Sequence, residues 1–188
     1  MIIDGDKIKA SSGNTIFIPT GYILKGTDNA SIYSPGSIIQ VQSTTLTTVF
    51  STSPSAGTFA SVTGLSVSIT PKFTTSKIYV SVNISGCCNS NAHARVTRNS
   101  TPVGVATGTL SSRIAGAGSS VYNNGDTNST KSCVIEFSDS PSSTSALTYQ
   151  VQVNGNGSTY FVNQSVNDSD ANTTGRYISS ITVMEIAQ

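Results

Sequence analysis

Tryptophan is absent from this chain of 188 residues, histidine occurs once, methionine twice, and only 10% of positions are charged. Soluble domains ordinarily give about a quarter of their positions to Asp, Glu, Lys and Arg. Ten basic residues stand against nine acidic ones, for a net charge of +1. That leaves no positive field of the kind that nucleic acid or an anionic membrane surface attracts, so neither is an expected partner. No apolar run approaches the roughly 18 residues of a membrane span. The start, Met1 to Lys7, has no basic region leading into an apolar stretch, so no secretory signal is expected and synthesis in a cytoplasm follows. There the three cysteines stay reduced; Cys87 and Cys88 are adjacent, a poor geometry for a structural bridge, and all three read as free thiols.

What the chain has in abundance is small polar residues: 33 Ser, 25 Thr and 14 Asn. Ser and Asn compete for backbone hydrogen bonds and Thr is stiff at its β-carbon, so helix interiors disfavour all three. An all-β chain with many turns is implied. The length suits one domain with a short appendage. A surface rich in hydroxyls and poor in charge suggests a chain that assembles with copies of itself.

From about Ile38 the sequence alternates. Leu65, Val67 and Ile69 interleave with Ser66, Ser68 and Thr70; Ile78, Val80, Val82 and Ile84 interleave with Tyr79, Ser81, Asn83 and Ser85. Period two marks strands with one buried and one wet face. Ala94 and Val96 lead into a turn at Arg98–Pro102 that returns through Val103 and Val105. Residues 116–132 have no periodicity and read as a long loop. Cys133, Ile135 and Phe137 alternate next, then Leu147, Tyr149, Val151 and Val153, up to Asn154-Gly155-Asn156-Gly157. Asn-Gly between alternating runs predicts a hairpin, with Tyr160 and Val162 on its return strand. The last run is apolar on both parities, Ile181 and Val183 on one face and Ile178, Met184 and Ile186 on the other, which predicts a central strand or a subunit interface. Eight or nine strands in roughly 150 residues predict an antiparallel β-sandwich, a jelly roll, over 37–188.

Residues 1–36 differ. Ile2, Ile3, Ile8, Ile16, Phe17, Ile18, Tyr22 and Leu24 lie scattered among Gly, Pro and Asp. The segment is too short for a core of its own and too apolar for a disordered tail, which predicts an extended arm packed on a neighbouring copy or another protein. The alternative is that it adds strands to its own domain.

Chemistry is sparsely signalled. The one histidine, His93, opens a strand with no Gly-x-Ser-x-Gly elbow anywhere in the chain. Glu136 and Glu185 fall inside strands, unpaired with other acids. Cys87, Cys88, His93 and Cys133 lack zinc-site spacing. Asp4-Gly5-Asp6 and Asn167-Asp168-Ser169-Asp170 lack the glycine and distal glutamate of a calcium loop. No catalytic, cofactor or metal residue is assigned, and the chain is not expected to be an enzyme. Eight Asn-x-Ser/Thr triplets occur where about four are expected by chance, and they read as composition. For contact with a carbohydrate the loop residues Tyr122, Asn123 and Asn124 stand out, because Tyr122 is an aromatic outside the alternating runs.

Several ordered stretches resemble a known module: Pro35–Val41, Val62–Pro71, Ser76–Val82 and Ser180–Ile186. Together they are similar to a β-rich module of tailed-bacteriophage virion proteins, found in fibres and appendages of phages of cyanobacteria and other marine bacteria. The resemblance covers roughly 35–188. It implies a structural component on the outer surface of the virion, a homotrimer whose sandwich is an outward knob and whose amino-terminal arm docks on other virion proteins. With no repetitive shaft, a head fibre, capsid decoration or neck appendage suits the length better than a long tail fibre. Residues Ile178, Ile181, Val183, Met184 and Ile186 are the candidate trimer interface or core. The alternative is a receptor-binding tip that uses loops 116–132 and 164–175 on a host surface glycan.

Overall fold

A computed structural model describes residues 2–4, 7–9, 20–21, 32–118 and 125–188. The chain divides into two units, Met1–Ile32 and Tyr33–Gln188. In the first, β1 (Ile2–Asp4) and β2 (Lys7–Lys9) form an antiparallel pair that sets Ile3 opposite Ile8. The division falls before Tyr33 rather than after residue 36. The reason is local: the Tyr33 ring lies 4.7 Å from that of Phe73, and Gly36 and Ser37 exchange backbone hydrogen bonds with Ala187.

The second unit holds β3 (Ile38–Leu46), β4 (Phe50–Thr52), β5 (Ala60–Ile69), β6 (Lys77–Cys88), β7 (His93–Arg98), β8 (Thr101–Val103), β9 (Lys131–Asp139), β10 (Leu147–Asn154), β11 (Tyr160–Val162) and β12 (Ser179–Ile186). One sheet runs β5–β10–β7–β8; the other runs β3–β12–β6, with β9 also pairing β6, and β11 pairing the end of β6 that β12 leaves open, followed by β4. Leaving aside the short β4 and β11, the first strand pairs the last (β3 with β12), the second pairs the seventh (β5 with β10), the third the sixth (β6 with β9) and the fourth the fifth (β7 with β8). All four pairs are antiparallel. A long hairpin rolled up in this way is a jelly roll.

The core is what the period-two runs dictate. Val62, Leu65, Val67, Tyr149, Val151 and Val96 face Ile78, Val80, Val82, Ile135, Ile181 and Val183 across the gap between the sheets. Burying each such side chain contributes about 1.5–3 kcal/mol. Gly86 opens space for a large ring: a Cβ there would lie 2.8 Å from the Tyr160 ring and 2.7 Å from the Phe161 carbonyl. One edge of the sandwich is tied across the sheets, where Arg98 on β7 donates to both Asp139 oxygens on β9 (2.6 and 2.7 Å) and Tyr149 OH donates to the same carboxylate (2.7 Å).

The Asn-Gly signal yields a turn but no hairpin. Asn156 and Gly157 adopt positive φ, and Ser158 N–H closes on the Gly155 carbonyl, yet β11 pairs β6 and β4 rather than β10. Both neighbours of β10 are already taken, by β5 and β7, so the chain arches over to the other sheet. The turn at Asn99 and Ser100, by contrast, joins a true hairpin, because β7 has a free side for β8.

Candidate functional site

The jelly roll has two chemically different ends. At the amino-terminal pole lie Tyr33–Ser37, the last strand's Ile186, the turn at Asn99 and Ser100 and the links 70–76 and 140–146. Links 53–59, 89–92, 155–159 and 163–178 gather at the opposite pole, together with 125–130, which lead into β9. A twelve-residue strand such as β6 separates the poles by roughly 40 Å.

Two of the loops suspected from sequence are joined at that second pole. Asn167 donates its backbone N–H to the Thr127 carbonyl (2.8 Å) and its side-chain amide to Asn128 Oδ1 (2.9 Å). Each loop is also braced internally. Ser129 OH and the Asn128 N–H donate to the Asp126 carboxylate and hold it below the usual carboxylate range. In the other loop Arg176 pairs with Asp168, Gln164 bridges Arg176, and Thr174 OH donates to the Ser169 and Ala171 carbonyls.

The root of this second loop is a buried asparagine that period-two reasoning passed over. Asn163 donates from Nδ2 to the carbonyls of Leu46 (2.8 Å) and Thr48 (2.9 Å), and its Oδ1 accepts from Ser179 OH (2.7 Å). Its backbone N–H reaches the Ser85 carbonyl and its own carbonyl accepts from Tyr177 N–H. A φ of 63° at this residue turns the chain out of β11. The Asn-x-Ser triplet at 163 is thus a structural knot. The only sequence signal for it was an Asn directly after an apolar run.

Two open grooves mark the loop pole. One, of about 350 Å³, is lined by Asp168, Asp170, Thr174 and Arg176; the other, of about 400 Å³, by Ser53, Asn89, Ser158, Thr159, Phe161 and Val166. The second has an aromatic ring, hydroxyls and an amide with no charged lining residue, which suits hydrogen bonding to neutral polar groups. Ser53 and Thr159 hydroxyls already pair there at 2.8 Å.

The remaining residues named from sequence fall as follows. His93 is half-buried in register with Asn154 at the start of β7. Glu136 lies on the outer face of its sheet, accepting from Ser81 OH at 3.2 Å, whereas Glu185 is fully buried. Among the described residues no group of three or more His, Cys, Asp or Glu side chains is placed to hold a metal ion. Cys87, Cys88 and Cys133 are buried and form no disulfide. Burial pushes the Cys87 and Cys133 thiols up to about 11 and raises Cys88 as well. Tyr160 OH lies buried without a hydrogen-bond partner among the described residues. Burial moves its ionisation far above the ordinary tyrosine range.

Of the candidate interface residues, Ile181 and Val183 point into the core, Met184 and Ile186 lie half-buried on the outer face, and Ile178 is exposed just before β12. In the arm, Ile2, Ile3 and Ile8 belong to the β1–β2 pair. Ile16, Phe17, Ile18, Tyr22 and Leu24 lie outside the described residues, as do Asp6 and the loop residues Tyr122, Asn123 and Asn124.

No family model matches the chain, and no curated protein sequence matches it.

Proposed function

We propose that this chain is a structural component of a bacteriophage virion, a trimeric fibre or decoration-type appendage held on the particle by its amino-terminal segment. The observation that carries the reading is the separation of the two poles. The chain joins the jelly roll beside Ala187 at one end, while Asn167, Thr127 and Asn128 draw two long loops together at the other. An appendage needs this arrangement, with an end to dock and an end to present. The scarcity of charge and the resemblance of Pro35–Val41, Val62–Pro71, Ser76–Val82 and Ser180–Ile186 to phage appendage modules support it further. The direct test is to express a chain that begins at Tyr33 during particle assembly. Loss of the protein from purified particles, with the jelly roll still folded, is the expected result; normal incorporation would defeat the anchoring role of residues 1–32.

The joined loops also favour a second reading, a receptor-binding tip that contacts a host surface glycan. Polar loops on a rigid scaffold are where recognition commonly sits. Replacing residues 164–175 by a short Gly-Ser link would then abolish adsorption to the host while leaving incorporation intact. Unchanged adsorption would leave the structural role alone.

A further inference from the structure

We infer that copies of this chain meet through the outer face of β3, β12 and β6 and along the β3 edge, so that the occupant of this face is another copy of the chain in a closed ring. The inference deepens the trimeric reading above and rests on it.

Register fixes what the face presents. Ile38 pairs Ile186; Val41 pairs Met184, which in turn pairs Tyr79. Toward the loop pole the rows turn to hydroxyls and amides, Ser43 with Thr182 and Ser81, then Thr45 with Ser180 and Asn83. Ile38 at the start of β3 is 56% and Val41 49% exposed. The outer face of the other sheet differs: it presents Ser66, Ser68, Thr148, Gln150 and Gln152, with Arg95 lying 3.9 Å over the Phe59 ring. Exposed aliphatic surface concentrated on one face marks a contact region.

The edges give a second, independent observation. A free strand edge offers unpaired N–H and C=O groups, and proteins blunt such edges with charge, proline, bulges or brevity. Among the described residues, β4 and β8 are three residues long and β8 carries Pro102. β9 carries Lys131, Glu136 and Asp139, and β5 turns at Gly64 (φ 82°) where its register with β10 shifts. β3 has none of these protections from Gln40 onward. Its nine residues, Ile38–Leu46, contain no charge and no proline, and its one irregularity lies at its first residues.

Chemistry selects the occupant. Hydroxyls both donate and accept, so rows of Ser and Thr can satisfy rows of their own kind. Lys77 on β6 carries the charge on this face; Glu136, on the neighbouring β9, has the opposite sign and is engaged by Ser81 and Tyr79. A charged partner would bury its charges here without counter-ions, which is unfavourable. A ring about an axis along the strands also keeps Tyr33–Ser37 of every copy at one end, as a shared anchor requires.

The test is the mass of the full-length chain in solution, by light scattering, for the parent and for Val41→Lys/Met184→Lys. The expected result is three chains for the parent and one for the variant, with unchanged circular dichroism, while Ser68→Lys on the other sheet keeps three. A folded variant that stays trimeric overturns the interface and leaves the trimer standing; a monomeric parent overturns both. Amide exchange on the unmodified chain gives a check that does not depend on the variant folding. The β3 amides that point away from β12 should be protected at least tenfold over those on the β5 edge, and equal exchange would overturn the inference.

Discussion

Gln40 and Glu185 face each other across the β3–β12 pair, the amide nitrogen 2.6 Å from a carboxylate oxygen that is wholly removed from solvent. The same amide reaches the Thr70 carbonyl at 2.7 Å. The other Glu185 oxygen accepts from Ser76 OH (2.7 Å) and from the N–H groups of Lys72 (2.7 Å) and Phe73 (3.3 Å). The acid therefore fastens the β5–β6 link to the last strand through hydrogen bonds to neutral donors. Removing it as Glu185→Ala takes the acceptor from the buried Ser76 hydroxyl and from the part-buried N–H groups of Lys72 and Phe73, and should destabilise the jelly roll by about 3–5 kcal/mol. Glu185→Gln keeps one acceptor and opposes two amide NH2 groups, so a smaller loss of about 1–2 kcal/mol is expected. Chemical denaturation of the two variants checks the order; equal losses would mean that the hydrogen bonds are not the cause.

Asn163 makes a comparable knot at the other pole. Asn163→Ala removes both donors to the Leu46 and Thr48 carbonyls and the acceptor for Ser179 OH, and at a φ of 63° replaces asparagine by a residue that tolerates the left-handed region less well. The expected loss is about 3–4 kcal/mol. Asn163→Gly relieves only the backbone part, and should recover about 1 kcal/mol of that loss. Equal melting of the two variants would show that the backbone conformation is not strained.

The cysteines set a limit at high pH. Burial holds Cys87 and Cys133 protonated up to about 11 in the folded chain, against an ordinary value of 9.0. The unfolded chain thus loses these protons first, and stability falls as pH rises from about 9 to 11. Each thiol accounts for at most about 3 kcal/mol of that fall. Below pH 9 the two contribute no slope. Unfolding curves at pH 8, 9 and 10.5 test this, and an aromatic disulfide reagent at pH 8 should label no cysteine in the native chain and all three after denaturation. Rapid native labelling would contradict the buried placement.

Gly86→Ala tests the packing of Tyr160. The added methyl meets a backbone carbonyl and a ring edge that have little room to move, and overpacking of this kind costs about 1–3 kcal/mol. A neutral result would mean that the Tyr160 ring has space to shift.

Much of the fold was legible because one-sided burial writes itself as period two. Leu65, Val67 and Ile69, and Ile78 to Ile84, are buried as the alternation required, and the doubly apolar last run is a central strand flanked by β3 and β6. What alternation does not encode is which strand pairs which. Asn156-Gly157 carries the local signature of a hairpin, yet its partner is decided by whether β10 has a free side. Buried polar residues were equally illegible. Glu185 and Asn163 look like any strand acid and any turn asparagine until donors from distant segments, Lys72 and Gln40 for one and Ser179 for the other, are brought to them. The meeting of loops 125–130 and 163–178 through Asn167 is of the same kind, since it depends on where β9 and β12 begin.

The most direct test of the account is the solution mass of the full chain and of the chain that begins at Tyr33. Three copies in both places assembly in the jelly roll and leaves residues 1–32 free for docking, as the account predicts. A single chain in both would contradict a trimeric appendage.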